Sequence, residues 1–332
     1  MKNSPDLEPL LHDYQLWPRH IKKTGNVYQI DTGSNRFALK EVKKKLRIDL
    51  FRLFQWLNSR GYVHHLPLIP DRFGNFIKAF NGKFYYLMPW VQEMTVSEKE
   101  KKMFTELARL HLLTFQTVPV TQEAIQQHYN TVKIRWQQEE TFLIEFLESC
   151  ERQKYRSPFE WRYVFYYHEL KSAYAFALNC LEVWREEMLE TKRARTCLVH
   201  GKLHPDHYLI DDRNVGDFVN FEKSRIASPI ADILPFFAHR FYTFPEPEGN
   251  EFQLLQVYLK IFSLTEAEML LFQAYLAHPG TIIRIIHDYQ QKHRPNHEWE
   301  YTKKIERFYW SFKNRERFIR RLTESSENRD GS

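Results

Sequence analysis

Glycine is scarce in this chain, with 10 residues among 332, whereas aromatic side chains make up 16% of it. Few positions are free to flex and much ring surface needs burying, which excludes a low-complexity polypeptide and points to a rigid, densely packed globular protein. Cysteine is scarcer still. Cys150, Cys180 and Cys197 are odd in number, widely spaced and form no CxxC pair, so neither a thiolate metal site nor a dithiol redox couple is expected, only buried free thiols. No apolar run is read as approaching the length of a membrane span, and the opening residues MKNSPDLEPLLHDYQ hold no apolar signal core. The expectation is a protein made in the cytoplasm without a signal peptide and with no membrane partner.

What the chain does have is length and positive charge. It is long enough for one large core, arranged either as a single domain or as two unequal lobes. The formal charge is +6, and Lys303, Lys304, Arg307, Lys313, Arg315, Arg317, Arg320 and Arg321 stand near the C-terminus against only Glu306 and Glu316. Such a run reads first as a solvated helix face, and second as a surface for an acidic partner or nucleic acid. No base-reading motif accompanies it, so nucleic acid is not an expected partner.

From residue 26, NVYQIDTGSNRFALKEV gives two period-2 stretches around a turn, a hairpin of Val27 to Ile30 with Phe37 to Lys40. DLFRLFQWLNSRG then places Leu50, Leu53, Phe54 and Leu57 at helical spacing, closed by Gly61. Short β-prone runs follow, and Asn81-Gly82 marks a tight hairpin because both central residues of that turn need positive φ. About five strands and one helix fit residues 1–90, with Pro89 as a hinge. Beyond it the periodicity is helical to a final amphipathic helix bearing Ile305, Phe308, Tyr309, Phe312, Ile319 and Leu322 on one stripe, after which TESSENRDGS reads as a frayed tail. The one interruption is a small hairpin at 198–222, in which Tyr208 to Ile210 and Phe218 to Phe221 flank the turn DDRNVGD.

In front of that hairpin stands LVHGKLHPDHYLIDD, residues 198–212. A β-rich first part, a hinge, a helical second part and this loop together resemble the aminoglycoside and choline phosphotransferase branch of the protein-kinase-like superfamily. The LARLH of residues 107–111, the YYLMPWV of 85–91 and the RFALK of 36–40 are most similar to the CotS-type spore coat proteins of the YsxE/YutH kind. The resemblance covers nearly the whole chain and rests on order and spacing. It implies an α+β, bilobal kinase-like fold, with a small β-rich N-lobe over 1–90 and a large helical C-lobe over 91–332 carrying the hairpin.

In the family the loop runs His-Gly-Asp-Leu-His-Pro-Gly-Asn, followed by Ile-Asp-Phe after the hairpin. Here it runs His200, Gly201, Lys202, Leu203, His204, Pro205, Asp206, His207, and later Val219, Asn220, Phe221. Three functional positions differ. A lysine at 202 is a cation at pH 7 and cannot take the proton of an attacking hydroxyl as an aspartate does. His207 and Asn220 replace the amide and carboxylate that hold magnesium, a hard ion preferring oxygen. No catalytic residue is therefore expected, and no cofactor, with ATP and magnesium bound weakly or not at all. Lys40 matches the strand lysine that contacts nucleotide phosphates in the family, but its usual helix glutamate is not evident, Asp49 being the one acid offered.

Bland roles are expected elsewhere. His200 reads as a packed residue orienting the loop backbone, and Asp232 in SPIADILPFF as a helix cap or loop tie. Glu222, Asp217 and Asp206 are the carboxylates within reach of a rebuilt metal site, or partners for Lys202 in a filled cleft. His204, His207 and the distant His239 have weak metal-ligand spacing, so no metal is expected. The resemblance implies a catalytically degenerate structural or interaction component of the bacterial endospore coat, made in the mother cell, deposited on the forespore and bound to other coat proteins. The alternative is an active small-molecule or protein kinase with a rearranged ATP and magnesium site.

Overall fold

The structure, a computed structural model, describes residues 7–42, 49–242, 250–292 and 298–330. Along the chain run α1 (Glu8–Asp13), β1 (His20–Thr24), β2 (Val27–Asp31), β3 (Arg36–Val42), α2 (Leu50–Ser59), β4 (Lys78–Phe80), β5 (Lys83–Pro89), α3 (Lys99–Thr114), β6 (Gln116–Pro119), α4 (Gln122–Glu151) and α5 (Pro158–Thr191). Then follow β7 (Arg193–Val199), β8 (Tyr208–Ile210), β9 (Gly216–Phe218), β10 (Arg225–Ala227), α6 (Ile230–Arg240), α7 (Glu251–Leu259), α8 (Glu266–Ala277), α9 (Thr281–Lys292) and α10 (Glu298–Asp330). Two compact units result: Met1–Thr114 with Leu198–Ile226, and Phe115–Cys197 with Ala227–Ser332. They cut the chain differently from a single break at residue 90, since the 198–226 segment is grouped with the sheet.

The first unit is an antiparallel sheet of five strands in the order β1-β2-β3-β5-β4. Asn81 and Gly82 close the β4–β5 hairpin with φ of 48° and 72°, as that dipeptide requires. Alternation divides the central strands between two faces. Leu39, Tyr85 and Leu87 pack with Tyr28 and Ile30 under Leu7, Leu10, Leu11 and Tyr14 at α1, whereas Lys40 and Tyr86 point to the opposite face. In α2, Leu50, Leu53, Phe54 and Leu57 are buried, Asp49 caps the start and Gly61, at φ 78°, follows the end. The hairpin β8–β9 is fastened to this unit through backbone bonds: Phe218 N–H donates to His64 O (3.1 Å) and Met94 N–H to Ile210 O (3.0 Å).

The second unit is helical, apart from β6 paired antiparallel with β7. The long helices α4 and α5 pack together, with α8 and α10 against α5. Capping boxes at Ser157/Glu160 and Thr265/Glu268 start α5 and α8. Aromatic side chains fill the interior: Phe159 stacks on Tyr289 at 4.1 Å and Tyr166 on Tyr309 at 3.7 Å. Ile305, Phe308, Phe312, Ile319 and Leu322 are buried as their spacing demands. The residues read as a frayed tail instead continue α10 to Asp330. Cys150, Cys180 and Cys197 are buried and free.

One sequence reading needs correcting. Glu266–Gln291 has a mean hydropathy of 1.2, enough by length and composition for a membrane span. The stretch is nevertheless broken between Ala277 and Thr281 into α8 and α9, of 12 residues each. Each piece reaches about 18 Å, short of the ~30 Å hydrocarbon core.

Candidate functional site

The loop after β7 is fixed by close backbone approach. Gly201 has φ 77°, and a Cβ there would stand 2.2 Å from the Lys223 carbonyl oxygen, so only glycine fits. His200, fully buried, donates from Nε2 to Val219 O at 2.8 Å, which ties the loop to the strand leaving the hairpin. Its ring lies 5.1 and 5.3 Å from those of Phe221 and Phe218. His207 donates from Nδ1 to Lys202 O at 2.8 Å. Burial pushes the His207 pKa down to about 4, with the charges at Lys202 and Lys40 acting in the same direction, so the ring is neutral at pH 7.

Lys40 lies directly opposite Tyr86 in the β3–β5 register. Its ammonium bonds the Asn220 amide oxygen and forms an ion pair with Glu222, while the Tyr86 hydroxyl donates to the same Glu222 carboxylate at 2.6 Å. The Lys40 and Glu222 side chains are only 7% and 15% exposed. Burial lowers the Lys40 pKa against the pull of Glu222, yet the ammonium persists beside a carboxylate. Burial raises the Glu222 pKa, but Lys40 and the hydrogen bonds from Lys40 and Tyr86 outweigh it, and the carboxyl stays below its ordinary range. Asn220 takes the left-handed conformation, φ 72°, which asparagine tolerates better than most residues.

Lys202 does not fill the cleft as the sequence reading allowed. Its side chain is exposed and has no hydrogen-bond or ion-pair partner among the described residues. Each candidate acid is engaged elsewhere: Glu222 by Lys40, Asp206 beside His204 at 3.4 Å, and Asp217 facing His64 at 4.0 Å. The strand holds Lys40 in place for Glu222, whereas Lys202 projects from a loop into water. Asp49 is likewise accounted for, since its Oδ1 accepts from the Phe51 and Arg52 backbone N–H groups.

This donor set suits magnesium poorly. Asn220 and Glu222 already hold an ammonium, and His207 offers imidazole nitrogen to an ion that prefers oxygen. Among the described residues no three His, Cys, Asp or Glu side chains are grouped to hold a metal ion. Asp232 belongs to the helical unit, buried in the first turn of α6, where the helix dipole favours a carboxylate. The N-cap position is taken by Pro229, so Asp232 is not the cap. His239 lies exposed on α6.

Sequence reasoning missed Tyr86 altogether and offered Glu222 as a metal carboxylate or a partner for Lys202, not for Lys40. The only signal was the alternation in β5, which places Tyr86 on the Lys40 face once the two strands are known to pair.

A sequence profile of the phosphotransferase enzyme family matches residues 22–259. No curated protein matches the chain. Among solved structures, an aminoglycoside phosphotransferase from Alicyclobacillus acidocaldarius aligns with a TM-score of 0.71 at 14% identity, over 99% of this chain and 98% of that one. A microcompartment-associated aminopropanol kinase aligns at 0.54 and 12% identity over 94% and 96%. An amicoumacin kinase aligns at 0.51 and 12% over 94% of each. These likenesses establish a kinase-like fold with a β-sheet N-terminal part and a helical C-terminal part.

Proposed function

The chain belongs to the phosphotransferase enzyme family, and from that premise we propose that it is a catalytically degenerate member serving as a structural or interaction component of the bacterial endospore coat. The observation that carries the first half is the altered loop: the Lys202 ammonium projects into water where the family has an aspartate, and Asn220 at the metal position accepts from Lys40 instead. Phosphoryl transfer relies on such cations and on metal-bound oxygens to neutralise charge on the transferred group. Here an ammonium at Lys202 replaces the proton acceptor, and His207 and Asn220 replace the metal ligands. The second half is supported by the similarity of RFALK, YYLMPWV and LARLH to CotS-type coat proteins, and its partners would be other coat proteins.

The test has two arms. Purified protein incubated with magnesium and γ-labelled ATP should transfer no label to itself, to water or to amine and hydroxyl acceptors. A fluorescent fusion expressed in a sporulating bacterium should gather around the forespore. Sustained transfer would refute the degenerate reading, and diffuse fluorescence the coat assignment.

A second reading, an active kinase with a rearranged site, is favoured by one observation: Glu222 provides a carboxylate beside the strand lysine. Under it, Lys202→Asp would lower a measurable activity.

A further inference from the structure

Arg315 is the exception in the basic run of α10. Lys303, Lys304, Arg307, Arg317, Arg320 and Arg321 are exposed, whereas Arg315 is only 6% exposed. Its Nη2 donates to Ser311 Oγ at 3.1 Å, and its guanidinium lies 5.7 Å from the Tyr242 ring centre. Among the described residues its Nε–H has no acceptor and no carboxylate is in ion-pair reach. A guanidinium does not shed its proton in a protein, so among the described residues a charge is kept buried with only the Ser311 and Tyr242 hydroxyls beside it.

Arg315 lines an open depression of about 670 Å³ within the helical unit, bounded by α4, α6, the end of α8, the first turn of α9 and α10. Arg135 and Arg284 stand at its exposed edge. Among the described residues its one acidic lining residue, Glu139, is already engaged by Arg135 at 3.7 Å and His278 at 3.0 Å. Three guanidiniums therefore line a space with one carboxylate among the described residues, Glu139, which compensates Arg135, and the Tyr242 hydroxyl contacts Arg315. Arg315 also borders a second cavity of about 500 Å³, but there Lys313 is paired with Glu169 and Glu316, and the charges are compensated.

We propose that the larger depression binds a small organic anion, its phosphate or carboxylate group gripped by the Arg315 fork and flanked by Arg135 and Arg284. Guanidinium N–H groups match the oxygen spacing of both groups. The space is a depression open to solvent, wide enough for a small anion with part of its hydration shell. Burial around Arg315 strengthens attraction for an anion and disfavours a cationic amine.

Calorimetric titration of the full chain at constant ionic strength tests this, using inorganic phosphate, glucose 6-phosphate and citrate as probes and glucose as the neutral control. At least one anion should bind saturably at a single site and glucose should not. The choice between glucose 6-phosphate and citrate identifies the anionic group. Arg284→Ala, at an exposed position, should weaken binding by about tenfold or more, as loss of a charge-assisted pair does, and Arg315→Met should abolish it. If Arg315→Met fails to fold, the Arg135→Ala/Arg284→Ala double variant serves in its place. The proposal is overturned if no anion binds, or if these variants bind as the parent does.

Discussion

Lys40 and Tyr86, opposite one another on β3 and β5, both end on the carboxylate of Glu222. One residue from the hairpin segment thereby closes over the face of the sheet turned away from α1. The Lys40 ammonium is held in a buried ion pair.

The cluster is a coupled unit. Removing one charge leaves the other buried, so Lys40→Met and Glu222→Gln should each lower unfolding free energy by about 3–5 kcal/mol. The apolar double variant Lys40→Met/Glu222→Leu should recover most of that loss. Urea denaturation followed by circular dichroism measures all three, and additive losses in the double variant would show that the pair is not coupled.

Tyr86→Phe removes one hydrogen bond to an ionised acceptor while keeping the ring. A loss of roughly 1.5–3 kcal/mol is expected, in the same denaturation assay. An unchanged midpoint would mean that the hydroxyl does not hold Glu222.

Gly201→Ala places a methyl group against the Lys223 carbonyl in a backbone conformation that L residues avoid. The variant should lose at least about 2 kcal/mol. Gly61→Ala supplies the comparison, since its φ is also positive but nothing lies within 4 Å of the added carbon. It should lose only about 1 kcal/mol.

How much of this was readable beforehand depended on whether the signal was local. The Asn81-Gly82 hairpin, the α2 stripe and the stripe of α10 are each written in neighbouring residues, and each appears as read. Strand β1 was missed because HIKKT is exposed at every position and so lacks alternation, and α1 because six residues are too few for periodicity. The Lys40–Glu222 pair joins positions 182 residues apart, and nothing between them encodes the contact. The family resemblance located the loop histidines and Lys202, and the backbone-orienting role read for His200 appears in its bond to Val219 O, but the partner of His207 was not legible. Nor could the burial of Arg315 be told from a charge run whose other members, Lys313 apart, are solvated.

His207 makes stability depend on pH in a definite direction. The unfolded imidazole takes up a proton near its ordinary pKa of 6.5, whereas the folded one resists until about 4. Between those values the unfolded state binds more protons, so stability falls as pH drops through that window. Allowing for partial solvent screening, the His207 share is roughly 1–2 kcal/mol. His207→Gln should flatten the pH 6.5-to-4 slope by that amount. His65 and His278, also lowered by burial, act in the same direction and would leave a residual slope.

The most direct measurement of the central claim is a titration of magnesium-ATP into the purified chain, with Lys40→Met beside it. If His207 and Asn220 cannot hold magnesium, neither protein should bind the nucleotide at millimolar concentrations. Saturable binding by the parent chain that Lys40→Met abolishes would mean the ammonium is available to phosphate, and would contradict the account.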